Sequence, residues 1–526
     1  MEFNIAFSSR LTSGFFLPAD CAILQLIRPL RAKRMATAST TTTHPDYATI
    51  QPALKSVRDC VLGGFFVKLE GYTYLPHPSQ VDTTSEEAQQ RYREYKAGAE
   101  FDEITQMSLK SFLGRMKFKD TEFDLPDKLS YLVENADGDG VTMSGLIEQT
   151  AANVMQVGWH LLVAEYMNAP LPGEQMSQAQ AASRGIRAAI KAYNRESVLD
   201  WDFRRINGVM QLSYLKVMEK RTQLDQITGG RNDVTEYLVM ALDDEGNYYW
   251  QKFDDELVKQ SLAPRNEVTV NGQRLKWLPV EIVADLEPPA GAMPKSMGLL
   301  SPIATACLDR YRVSADYKET IKNICPTSYT AGWTDQGWEQ FKLMNNNRDY
   351  IAFGARAMNN LPMGVTMDTL NPSITLEGFE RYFEATEQKI IAAGGVVPSD
   401  NRSATKTATQ SENESSEVTS RLVTLRNSLV SGVTRMVAYC GMFEGMWSQD
   451  AIEQQLESIV IDLPTEFARS KLTPQEQKEI RDNYLAGLYS RNEAVRLLVR
   501  GGCTVSDVDT ILAESEDMSS GLTSGE

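Results

Sequence analysis

Asn135, Asp137 and Asp139 stand at alternating positions, with Gly140 next, in the stretch ENADGDGVTMSGLIEQ from Glu134 to Gln149. A calcium loop of the EF-hand type begins this way. The cation takes oxygen ligands at loop positions one, three and five, and a glycine at six turns the chain. That motif closes on a bidentate glutamate at position twelve. Here position twelve is Leu146, and Glu148 comes two residues too late. The residues predict a glycine-rich turn leading into a helix capped by Thr142 or Ser144, not a calcium site.

Other reactive groups are sparse. The three histidines are His44, His77 and His160, too few to supply a histidine metal site or a Ser-His-Asp triad. His160 lies in VGWHLLV and is expected to be a satisfied, buried histidine in an apolar helix. The six cysteines, Cys21, Cys60, Cys307, Cys325, Cys440 and Cys503, contain no CxxC pair and read as scattered reduced thiols. No GxxxxGK[ST] or GxGxxG loop is present to cradle a phosphate, and QITGGRND reads as a hairpin loop. Carboxylates are plentiful, but nothing in the sequence pairs them as acid and base. No catalytic residue, cofactor or metal is assigned, and a non-enzymatic role is expected.

The net charge of −17 over 526 residues repels nucleic acid, so any contact with DNA depends on local cations. Arg402 and Lys406, among small polar residues in GVVPSDNRSATKTATQ, are such cations. No apolar run reaches the roughly 18 residues that a membrane helix needs. Residues 1–34 carry Arg10, Arg28, Arg31, Lys33 and Arg34 against Glu2 and Asp20 and faintly resemble a targeting peptide. The simpler expectation is that translation starts at Met35, followed by a flexible amino terminus.

The elements that position these groups follow from periodicity, and they make an α+β chain. Helices are expected over 46–66, 86–115 and 142–166. Residues 200–285 read as sheet. ALDDEGNYYW joins two strands, and Asn271-Gly272 turns a tight hairpin in VTVNGQRLKWLPV. Trp201, Trp250, Trp277, Trp333 and Trp338 are expected in core positions. A helix over 299–322 precedes a short β-rich insertion with CPTSYTAGW, DYIAFGA and MGVTMDTLNP. A second helix covers about 376–393, and GGVVPSDNRSAT then reads as a flexible loop. From about Thr405 to Gly441 the chain reads as one long helix with an apolar row at Leu422, Leu425, Leu429, Val433, Met436 and Cys440. A helix of that length needs partners along it, from other elements or other subunits. The carboxy-terminal helices are capped by Thr473 with Glu476 and by Ser490 with Glu493. The second stops at Gly501-Gly502, and residues 515–526 read as disordered. These helices lack the basic face of a DNA-reading helix-turn-helix.

Taken in order, several segments resemble tailed-bacteriophage portal proteins, of a family long catalogued as a domain of unknown function. They include HPDY…VRDCVLG, YTYLP, NADGDGVTM, VLDWDFRRINGVMQL and SPIATACLDRYRVSADYKETI. YIAFGARAMNNLPMG, GFERYFEATEQKIIAAGG, SATKTATQSENESSEVTSRL, LPTEFARSKLTPQE and LLVRGGCTVSDVD follow. The resemblance spans roughly Ser39 to Glu514 and rests on order and spacing rather than on any one motif. Two stretches depart from the pattern. VRDCVLGGFFVKLEG lacks an acidic residue expected after its RD core, and EFDEITQ replaces an asparagine-containing stretch.

The resemblance implies a ring, usually of twelve copies, at one capsid vertex, through which double-stranded DNA is packaged and ejected. After an extension and disordered amino terminus over 1–45, it implies an α/β wing over 46–285 and a first stem helix over 297–322. A β-containing clip over 323–372, a second stem helix over 376–393 and a tunnel loop over 394–404 come next. The long wing helix covers 405–447, the helical crown 448–514 and a disordered tail 515–526. The tunnel loop would hold Gly394, Gly395, Ser399, Asp400 and Asn401. Arg402 and Lys406, with Arg310, Arg312, Lys318 and Lys322, are the candidates to meet DNA. The four stem cations either line the channel or pair with Asp309, Asp316 and Glu319 across subunits. Implied partners are copies of the chain itself, a terminase packaging motor, tail or adaptor proteins, capsid and scaffold proteins, and the DNA in transit. The implied location is the virion, after assembly in the host cytoplasm, with no membrane. Two other readings remain: another oligomeric virion or head–tail connector protein, and a carboxylate-dependent metal enzyme using Asp137 and Asp139.

Overall fold

The computed structural model describes residues 42–79, 82–167, 184–224, 229–254, 264–324, 327–352, 359–370, 375–397, 408–464, 474–486 and 489–500. Helices and antiparallel strands occupy separate stretches of the chain, an α+β arrangement. The amino-terminal part is α1 (Pro45–Leu62), α2 (Gly64–Leu69), α3 (Glu86–Gly98), α4 (Ile104–Met116), β1 (Glu122–Asp124), α5 (Tyr131–Glu134) and α6 (Met143–Val157). The single helix expected over 46–66 is two helices, parted at Gly63. That expected over 86–115 is also two. Residues 99–103 leave the helical path because Ser314 holds them: its hydroxyl bonds both the N–H and the carbonyl of Glu100, each at 2.9 Å.

The helix expected over 142–166 stops at Val157, and β2 (Trp159–Met167) takes its place, so His160 lies on a strand. Gly158 ends the helix in the left-handed region, with φ 91° and its N–H on Val154 O at 2.8 Å. Residues 159–164 are buried without alternation, because β2 is the middle strand of a covered sheet. An apolar run of that kind carries no period to tell strand from helix.

That sheet is β11-β2-β3, with β3 (Arg187–Asn194), and β11 (Val280–Ala284) set opposite Val163 to Trp159. The second sheet is an antiparallel meander: β4 (Val198–Ile206), β5 (Val209–Leu224), β6 (Arg231–Leu242), β7 (Tyr248–Asp254) and β8 (Asn266–Glu267). Both expected connections are present. Asp243 to Asn247 turns β6 into β7, and Asn271-Gly272 turns β9 (Thr269–Val270) into β10 (Gln273–Arg274).

The chain then forms α7 (Ser301–Ile324), β12 (Thr327–Ala331), α8 (Asp335–Met344), β13 (Thr366–Leu370), α9 (Glu377–Ala392) and α10 (Ala408–Phe443). β12 and β13 pair as the β-rich insertion requires, but α8 between them was not expected. Thr334 caps α8 by accepting the Gly337 N–H, and Trp338 and Phe341, three residues apart, share one face. Asp349 to Ala352 form no strand. Trp201, Trp250 and Trp277 pack against the main core, whereas Trp333 and Trp338 surround buried Phe341 in a separate cluster.

All six apolar-row residues of α10 are at most 1% exposed. Each such burial contributes on the order of 2 kcal/mol. The cover comes from the chain's own β11-β2-β3 sheet and α6, so this row is not open to a neighbouring subunit. α11 (Ile452–Gln455), β14 (Val460–Asp462), α12 (Pro474–Leu485) and α13 (Arg491–Arg500) follow, and β14 returns to pair with β1. The Ser490 carbonyl accepts the Ala494 N–H, as a residue preceding α13 should. Cys60, Cys307 and Cys440 are free and buried. Residues 1–34, Cys21, Cys325, Cys503, Thr473, Gly501, Gly502 and the tail 515–526 lie outside the described residues.

Candidate functional site

The 134–149 stretch is a turn leading into α6, and oxygens of Asn135 and Asp137 bond the turn's own backbone. Asp137 Oδ1 accepts the N–H groups of Asp139 at 2.8 Å and Val141 at 3.0 Å, and Asn135 Oδ1 accepts that of Gly140 at 3.0 Å. Asp139 Oδ2 pairs with Lys191 Nζ at 2.5 Å. Leu146, where the calcium ligand would sit, is 1% exposed in the core. Thr142 is the cap, accepting the Gly145 N–H at 3.1 Å. Asp137→Ala is expected to cost about 1 kcal/mol through the two lost hydrogen bonds. Millimolar calcium should leave the melting temperature of both chains where it was. A calcium-dependent rise in the parent that the variant loses would restore the metal reading.

His160 is 2% exposed, with Nδ1 3.3 Å from Thr150 Oγ1. Burial, with the Arg58 charge nearby, pushes its pKa down to about 4, so the ring is neutral at ordinary pH. No cluster of three or more metal-type side chains occurs among the described residues.

The remaining candidate site is the pair α7 and α9. Tyr317 meets Phe379 and Phe383, Arg310 meets Phe383, and Leu299 lies with Ala393, so the two helices run antiparallel. Their far ends carry the β12–β13 insertion. Arg310, Ser314 and Lys318 recur every four residues and therefore share one face of α7. That face turns inward, to the α3–α4 junction. Arg310 Nε donates to Asp102 at 2.8 Å, its Nη1 donates to Phe383 O at 3.0 Å, and its guanidinium lies over the Phe383 ring. Lys318 pairs with Glu100, and Tyr95 donates to Asp316 at 2.6 Å.

Arg312 donates to Tyr74 O at 2.9 Å and pairs with Asp309 at 2.8 Å, and Lys322 lies 3.6 Å from Glu319. The four cations of α7 are thus paired within the chain. Asp309 and Glu319 are taken up by residues three away, and Asp316 by a tyrosine. Partly exposed pairs of this kind contribute about 1 kcal/mol or less each. Their main effect is to balance the cations' charge.

The start of the loop after α9 is held rather than loose. Gly394 sits at φ 87° and donates to Ile391 O, and Gly395 donates to Ile390 O, both at 2.8 Å. This crossed pair of bonds is a Schellman end, which needs the left-handed residue at Gly394. The Val396 N–H then donates to Ser108 Oγ at 2.9 Å, and Val397 packs on the main core. Ser399, Asp400, Asn401, Arg402 and Lys406 lie outside the described residues.

Residues 300–444 match a family described as a domain of unknown function (DUF4055). The match opens one residue before α7 and closes one residue after α10, so the helix pair, its insertion, the loop and the long helix fall in one block. Among solved structures, the neck of an empty GTA particle computed with C6 symmetry is similar over 76% of this chain and 90% of that one, at 15% identity and a TM-score of 0.35. No curated protein matches the chain.

Sequence reading missed Glu100, Asp102, Ser108 and Ser314. The signal for three of them was present. A polar row of period four on α7 needs polar partners, and EFDE, which opens one of the two stretches that depart from the portal pattern, supplies Glu100 and Asp102 at alternating positions.

Proposed function

We propose that this chain is the subunit of a phage portal, a non-catalytic ring at one capsid vertex through which double-stranded DNA is packaged and ejected. The observation that carries the reading is the block from α7 to α10. An antiparallel helix pair holds a small β-unit with its own aromatic cluster at one end. At the other end a fixed turn leads through residues 398–407 into a 36-residue helix laid across the core sheet. Stem, clip, tunnel loop and wing helix stand in that order in the segments that resemble portal proteins.

The electrostatics suit a conduit. Contacts between cations and phosphates release counterions and add affinity, which slows translocation. Here the four cations of α7 are paired, and α9 exposes Glu380 and Glu384 beside an exposed Glu377–Arg381 pair. In this reading Arg402 and Lys406 are the cations that meet the passing duplex. The ring has twelve copies and receives a terminase motor, tail or adaptor proteins, and capsid and scaffold proteins.

Negative-stain images of the purified full chain test this directly. The expected result is a ring with an open central hole about as wide as a DNA duplex. A monodisperse monomer would end the proposal.

A further inference from the structure

Exposed apolar side chains crowd together at the end of α1 and on α2. Leu62, Phe65, Phe66, Leu69 and Tyr72 all face solvent, with Phe65 74% and Leu69 66% exposed. Phe65 and Phe66 meet edge to face at 5.4 Å, and four-residue spacing puts Phe65 and Leu69 on one side of α2. Single exposed apolar residues are ordinary on a folded surface, but a group in contact marks an interaction site.

This face is held rigidly from behind. Gly63 ends α1 at φ 103° and donates to Asp59 O at 3.0 Å, and its own carbonyl accepts the N–H groups of Phe66 and Val67, so α2 starts afresh. Val67, on the inner side of α2, is fully buried, and Gly64 lies against Phe101. Lys55 of α1 spans the junction, bonding Asp59 at 2.8 Å and Glu70, just past α2, at 2.6 Å. A face fixed in this way loses little freedom when a partner covers it.

The charge around the face selects that partner. From Cys60 to Leu69 the sequence has no acid, and its one charge is Lys68. The acid that follows, Glu70, is held by Lys55. The face is therefore apolar with a positive edge, on a molecule whose net charge is −17. Two copies of such a molecule repel each other overall. They can meet where one side is free of acids and offers a cation to the acidic surface opposite.

We propose that the α2 face is one side of the contact between neighbouring copies of this chain. The inference rests on the ring reading above, in which each copy meets the next through two unlike surfaces. An acidic surface of the next copy covers Phe65, Phe66 and Leu69, and Lys68 pairs with it at the edge.

Phe65→Asp combined with Leu69→Asp, followed by mass photometry of the full chain, tests the contact. Both side chains are exposed, so the melting temperature of the unassembled chain should hold. At equal concentration the fraction of chain found in rings is expected to fall at least about tenfold. Lys68→Glu should lower it as well, and Lys68→Arg should not. Rings formed equally well by the parent and by F65D/L69D would overturn this inference and leave the ring reading standing. A parent that forms only dimers, lost in the variant, would do the reverse. A parent that stays monomeric would overturn both. Hydroxyl-radical footprinting of the parent needs no variant. Phe65 and Phe66 should be labelled several-fold less in the assembled fraction than in the monomeric fraction from the same column. Equal labelling would leave the face open to some other partner and reject the proposal.

Discussion

Gly158→Ala is expected to destabilise the protein by about 3 kcal/mol. About half comes from forcing a side chain into the left-handed region and half from overpacking. At φ 91°, a Cβ on residue 158 would lie 2.2 Å from the Ser296 carbonyl oxygen. A Cβ on Gly298 would lie 2.6 Å from Met155 O. The obstacles are backbone atoms, and several bonds hold them in place. Arg195 Nη1 bonds Val157 O and Ser296 O at 2.5 Å each, Asp285 donates to Gly158 O at 3.1 Å, and Leu300 donates to Met155 O at 3.0 Å. This crossing is where the core sheet passes the chain to α7, so the damage should reach the helix pair. Urea unfolding measures the cost. Gly140→Ala is the control, since Gly140 has φ 105° but open space around its Cβ position, and about 1 kcal/mol is expected there. Equal losses in the two variants would reject the close-approach account.

The second large effect concerns the loop between α9 and α10. Deleting residues 398–404 is expected to leave rings intact in negative stain and to abolish DNA packaging in an assembly extract. Deleting 394–404 is expected to cost folding as well. It removes the Schellman end at Gly394, the Val396 bond to Ser108 and the packing of Val397. Residues 394–397 are thus part of the folded body, although they open the segment that reads as a flexible loop. If the shorter deletion prevented rings, or left packaging unchanged, the tunnel-loop role would be lost.

Some of this was legible in the residues. Leu146, at the twelfth position of the loop, read as apolar rather than as a ligand, and the fold buries it in the core. The apolar row from Leu422 to Cys440 marked the covered face of α10, and Asn271-Gly272 marked its hairpin. These signals are local. A residue's chemistry and its period along the chain suffice to read them.

Other features depended on contacts between distant residues. Gly158 splits one apolar run into a helix and a strand, and the run has no period because its sheet is covered on both faces. Arg310, Arg312, Lys318 and Lys322 announced a charged helix. That Arg310 and Lys318 turn inward to Asp102 and Glu100 was set by α3 and α4, some 200 residues earlier. The sequence by itself determined which faces are apolar and where the chain turns. The tertiary structure decided which charges are balanced, which face of α10 is covered from within, and how Tyr193 on β3 comes to bond Glu219 on β5. Those outcomes depend on pairings across sheets and helices, where desolvation and hydrogen-bond geometry act between residues that no local pattern connects.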